Sequence, residues 1–194
     1  MIKNILAFIG TISLVGVLVV YMKFDDKISQ VKKLDPQAMT LYMDMFDTVL
    51  KTGNAAKGMV KAVKIEKDVS IDDVVEAMKV IAEENNMLQV GDTVMFDGSP
   101  IDSSGKKTKY TRILSYCSRS IAQKFLQFSP EFGAFMPCRV MIRENEKGEK
   151  WLYTMALDLM ISGGQPLPPE LKKLAIHVRD TMYRMLKDGA KGDF

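Results

Sequence analysis

The chain has 194 residues, 47% hydrophobic, 26% charged and 8% aromatic, with a formal net charge of +3. These proportions exclude a disordered, collagen-like or disulfide-dense chain, and so weak a charge, spread along the sequence, does not point to nucleic acid. Two cysteines cannot form a disulfide framework, and the single histidine, His177, argues against a histidine-rich metal site. The length suits one domain plus an appendage, since about 150 residues bury a core without covalent staples.

Between Lys3 and Lys23 lies NILAFIGTISLVGVLVVYM, a stretch without a charge. Its length is close to the ~20 residues a helix needs to cross a bilayer, which predicts a single transmembrane helix over 4–24. Lys3 and Lys23 would snorkel at its ends and Tyr21 would sit at the interface. A cleaved signal peptide fits less well, because no small-x-small site closes the run. Gly10, Thr11, Ser13 and Gly16 are small residues of the kind that let membrane helices approach closely. Lysines 23, 27, 32 and 33 would keep the domain behind them in the cytoplasm, whereas a very short tail ahead of one apolar segment favours export of that domain. The expectation leans to export, with the domain on the periplasmic side of a bacterial inner membrane.

Asp35-Pro36 reads as a helix start, with the aspartate as N-cap and the proline in the first turn. Met39, Tyr42, Met43, Phe46, Val49 and Leu50 then recur at helical spacing, which makes 25–57 an amphipathic stalk ending at Gly53-Asn54. Residues 59–67 alternate as a strand. Ser70 with Asp73 forms a capping box for a helix carrying Ile71, Val74, Val75, Met78 and Ile81 on one stripe, up to Asn85-Asn86. Next come a strand over 87–96, a polar loop over 97–107 and a strand over 108–117, and Ser118 caps a helix that Ser129-Pro130 breaks. Residues 139–143 and 151–157 pair as a hairpin around ENEKGEK. GGQPLPPE leads into a last helix with Leu171, Leu174, Val178, Met182 and Met185 on one stripe, and 189–194 is expected to fray. The fold class is α+β, a small domain with a mostly antiparallel sheet and flanking helices behind the anchor and stalk.

Cys117 ends a strand just before a helix, where a thiol pKa can be lowered, and Cys138 enters the strand that could neighbour it. The pair could be packed thiols, a structural or redox disulfide, or ligands and nucleophiles. Arg112, Arg119, Arg139 and Arg143 flank the cysteines and could line an anion pocket, although strand arginines are commonly solvated or paired. His177 reads as a helix-surface or satisfied core histidine. The fifteen methionines include Met43 and Met45, whose thioethers could bind copper(I) but equally suit adaptable packing. Phosphate loops, Ser-His-Asp sets and metalloprotease patterns are absent from the sequence.

Residues 112–155 resemble the core of the domain-of-unknown-function 302 family. The resemblance rests on Cys117 and Ala122 in a Cys-x-x-x-x-Ala turn into a helix, on Pro130, and on the Met-Pro-Cys-Arg segment at 136–139. The Glu-x-x-x-Gly turn at 144–148, Asn86, Val90-Gly91 and the capping-box helix also fit. It covers roughly 58–188. The resemblance implies a small α/β fold, homodimers and cysteine at positions 117 and 138, and it transfers no catalytic residue or cofactor. The function expected is that of a membrane-anchored, non-catalytic interaction protein, an accessory subunit of a membrane complex, touching lipid and other membrane subunits. The alternative is a thiol- or sulfur-handling, or small-ligand or metal-binding, protein using Cys117 and Cys138.

Overall fold

The alternating and helical patterns condense into a five-stranded sheet with helices on its inner face. The computed structural model describes residues 2–101 and 105–193, and the side chains of residues 2, 4–8, 20, 21, 26 and 28 lie outside the described set. In chain order come α1 (Ile2–Val31), α2 (Ala38–Thr52), α3 (Ala55–Gly58), β1 (Val60–Lys64), α4 (Ile71–Glu84), β2 (Leu88–Phe96) and β3 (Thr111–Cys117). They are succeeded by α5 (Arg119–Phe128), a 3-10 helix (Pro130–Phe135), β4 (Cys138–Glu144), β5 (Lys150–Met155), α6 (Asp158–Ser162) and α7 (Pro169–Gly189). The strands pair antiparallel throughout, in the order β1-β5-β4-β3-β2.

Strand periodicity divides the sheet into two faces. Leu114, Tyr116, Val140, Ile142 and Leu152 share the inner face and are fully buried. Over them lie α4, through Val74, Ala77, Met78 and Ile81, and α7, through Met182, Met185 and Leu186. The α4 start is the predicted capping box: Ser70 Oγ accepts from Asp73 N at 3.0 Å, and Asp73 Oδ2 accepts from Ser70 N at 3.3 Å. Such a cap stabilises a helix by about 1 kcal/mol. The outer face carries Ile113, Met141 and Tyr153 in one cross-strand row, half-buried, beside Ala56 of α3 and Phe135 of the 3-10 helix.

Several expectations are corrected. Among the described residues no helix is long and apolar enough to cross a membrane, so the anchor expected over 4–24 does not stand. Although α1 is long, its last third carries Lys23, Asp25, Asp26 and Lys27. Lys3 and Lys23, expected at the ends of a span, are exposed, and the Tyr21 side chain lies outside the described residues. The stalk over 25–57 is broken: α1 runs to Val31, a turn intervenes, and α2 starts at Ala38. Asp35 does not cap α2 in the expected way. It accepts from Gln37 N at 3.0 Å within the turn, and its other oxygen takes Lys172 Nζ at 2.5 Å. Residues 190–193 are tied down as well: Ala190 is buried, its carbonyl accepts from Glu66 N at 2.9 Å, and Gly192 packs on Val69.

The Asp35–Lys172 pair joins the start of α2 to the first turns of α7. The Asp35 side chain is 1% exposed and that of Lys172 33%. The Lys172 hydrogen bond, helped by the Gln37 amide, holds the Asp35 carboxyl below its ordinary 3.8. Because the folded pKa is lowered, this stability is present above the unfolded pKa and lost as the pH falls through the folded one. Lys172→Met is expected to cost about 1–3 kcal/mol at pH 7, discounted from the value for fully buried pairs because the lysine is partly solvated. Urea unfolding checks this: the gap between wild type and variant narrows as the pH drops below about 4, whereas an equal gap at both pH values contradicts the pairing.

Candidate functional site

Cys117, the last residue of β3, pairs with Leu88, and Cys138, the first residue of β4, pairs with Tyr116. The two thiols therefore occupy adjoining positions at one end of the sheet, where α5, the 3-10 helix, α6 and α7 close around a cavity of about 80 Å³. Both cysteines line it, with Phe125, Phe132, Met136 and Met160 among the walls. Phe125 and Phe132 meet edge to face, with centroids 5.1 Å apart and planes at 63°.

Both cysteines are free thiols. Burial pushes the Cys138 thiol up to about 11, with Cys117 adding to the shift and Arg139 opposing it. Burial also raises Cys117, against the pull of Arg119. The lowering anticipated from the α5 N-terminus does not occur. Ser118 stands at the N-cap without a side-chain capping bond, its hydroxyl 3.4 Å from Ser120 Oγ, and the loss of hydration at Cys117 outweighs the pull of Arg119. At neutral pH these are protonated, weakly nucleophilic groups.

The arginines do not converge. Arg112 holds Asp92 in a two-pronged pair at 2.8 and 2.7 Å. Its register opposite Ile142 puts it on the inner face, whereas Arg139, opposite Ser115, belongs to the outer face. Arg119 is exposed on α5, and Arg143 donates to Thr111 Oγ1 at 2.6 Å. No shared anion pocket results. His177 lies with Nε2 3.1 Å from the Asn85 carbonyl, a partner that joins α7 to the end of α4. Among the described residues no group of three or more His, Cys, Asp or Glu could hold a metal ion, so the donors that share the cavity are the two thiols and the thioethers of Met87, Met136 and Met160.

Sequence reasoning missed the aromatic wall and α6. The signal was present in QKFLQFSPEFGAF, whose phenylalanines at 125, 128, 132 and 135 repeat at helical spacing across the Ser129-Pro130 break. The helix α6 is fixed by a partner distant in sequence: Tyr183 donates to Asp158 Oδ2 at 2.7 Å and accepts from Leu157 N at 3.0 Å.

A second feature lies outside this cavity. Met39, Met43, Phe46 and Leu50, spaced 4-3-4 along α2, are 51%, 51%, 52% and 67% exposed. The opposite side of the same helix is also apolar, with Ala38 buried and Leu41, Met45 and Val49 half-buried against α3 and α6. The polar residues of α2 are Thr40, Asp44, Asp47, Thr48, Lys51 and Thr52, and the Thr48 and Thr52 hydroxyls turn back to donate to the Asp44 and Thr48 carbonyls. In α1, Ile9, Ile12, Leu14, Val17 and Leu18 are likewise exposed, and at 100° per residue they point in every direction.

The family model described as a domain of unknown function, DUF302, matches residues 61–189. The crystal structure of an uncharacterized conserved protein DUF302 from Bacillus stearothermophilus is similar, at 15% identity and a TM-score of 0.53, over 69% of this chain and 98% of that one. At that identity the likeness concerns the fold alone. No curated protein matches. The helices α1, α2 and α3 precede the matched span.

The thiol states carry an expected outcome. Alkylation of Cys138 by iodoacetamide should be slow at pH 7 and rise roughly tenfold per pH unit up to about pH 10, as the thiolate fraction grows. Mass spectrometry of the cleaved protein reads this, and a Cys138 rate already level at pH 7–8 would contradict burial of a neutral thiol.

Proposed function

The chain belongs to the DUF302 family, and on that premise we propose that it is a non-catalytic interaction protein, whose α2 docks on an apolar surface of a partner protein in a larger assembly. The observation that carries this is the two-sided apolar character of α2. One side packs on its own domain, and the other leaves Met39, Met43, Phe46 and Leu50 about half in water. A helix with apolar residues on both sides is one that is covered on both sides. Burying the remaining half of these four side chains is worth about 3–6 kcal/mol, enough to contribute the centre of an interface. The 4-3-4 spacing is that of a seam receiving a second helix. The uncovered apolar residues of α1 add to the apolar surface available for such a contact.

Self-association is a second reading, favoured by the half-buried apolar row Ile113, Met141 and Tyr153 on the outer face of the sheet. The two surfaces are separable. Phe46→Glu, on the exposed side of α2, should leave the unfolding midpoint nearly unchanged, within about 0.5 kcal/mol, because it touches no core contact. The same change should release the protein from its native assembly, read as the mass of the extracted particle. Tyr153→Glu instead of Phe46→Glu releasing the chain would transfer the contact to the sheet. A particle unchanged by Phe46→Glu overturns the α2 reading.

A further inference from the structure

We propose that the cavity at the ends of β3 and β4 is a binding site for a small, neutral aromatic molecule. Its lining sets the first limit on an occupant. Among the described residues that line it none is charged, and its polar side chains are Ser118, Tyr116, whose buried hydroxyl has no hydrogen-bond partner among the described residues, and two protonated thiols. Water held there would want two to four polar partners, and a charged ligand would surrender its hydration without a counter-charge in the wall. The occupant is therefore neutral and apolar.

Size and wall chemistry narrow it further. The volume of about 80 Å³ is roughly half that of the ~150 Å³ apolar cavity that takes benzene, which limits the occupant to a single ring reaching toward the open side of the site. Five sulfur-bearing side chains line the space, Met87, Met136, Met160, Cys117 and Cys138, and sulfur makes favourable contacts with the edge of an aromatic ring. Phe125 and Phe132, already edge to face with each other, offer a third ring the same geometry. Phe135 lines the space and is 42% exposed, which places it at a rim through which a ring could enter. This site is independent of the docking surface on α2.

The wall supplies its own reporters. In protein carrying 13C-methyl methionine, toluene titration should move the methyl signals of Met87, Met136 and Met160 saturably while leaving those of Met39 and Met43 in place. Benzoate, the same ring with a charge, should bind at least about tenfold more weakly. Ala122→Phe, which builds a ring into the wall, should abolish the toluene response. Shifts that never saturate, that appear equally at Met39 and Met43, that benzoate reproduces, or that survive in a folded Ala122→Phe protein overturn the proposal. If that variant does not fold, the comparison of toluene with benzoate on the unaltered chain still decides.

Discussion

The helix α7 holds α4, α5, α6 and two strands of the sheet, and one close approach fixes its end against α4. At Gly189 an added Cβ would come 2.7 Å from Met78 Cγ, a carbon in the middle of a fully buried side chain, so the end of α7 lies against α4 at a distance only glycine permits. From that seat α7 sends Lys172 to Asp35, His177 to the Asn85 carbonyl and Tyr183 to Asp158 and Leu157 N. It also gives Ala175 and Val178 to the wall of the cavity. Moving α7 outward would loosen the α2 junction, α6 and the cavity together. Alanine would gain about 1 kcal/mol of helix propensity at position 189, but overpacking against Met78 costs about 1–3 kcal/mol, so the contact outweighs the propensity.

The same packing decides the chemistry of the thiols. A cysteine beside a helix N-terminus is reactive when the helix end and nearby cations act on it in water. Here the 3-10 helix, α5 and α6 cover both sulfurs, and the desolvation of a thiolate exceeds the stabilisation that Arg119 and Arg139 supply from outside. The site is thus a shaped apolar space with protonated thiols in its walls.

The features legible in the residues were those whose causes are local. The Ser70–Asp73 box, the existence of β1, the hairpin between β4 and β5 around ENEKGEK and the α7 stripe all stand in the structure, and the family model matches residues 61–189, although the burial of β1 does not alternate as expected. The features that could not be read depended on partners far away in the chain. Asp35 looked like a helix cap until Lys172, 137 residues later, claimed one of its oxygens. The helix α6 comes after a strand without a punctuating residue and rests on Tyr183. Arg112 and Arg139 are near in sequence to the cysteines but point to opposite faces, which only the register reveals. The charge-free run near the start suggested a span by its length, whereas among the described residues no helix meets that requirement.

A docking role for α2 requires that its outer side be covered by protein in the native assembly. Met39, Met43, Phe46 and Leu50 fall on one line, and Asp44 and Asp47 fall on another that stays wet. The decisive measurement places a photo-crosslinking amino acid at position 46 or, in a second protein, at position 44, and irradiates cells that contain the intact assembly. Docking through α2 predicts a discrete protein adduct from position 46 and none from position 44. Equal yields at both positions, or no adduct from position 46, would contradict it.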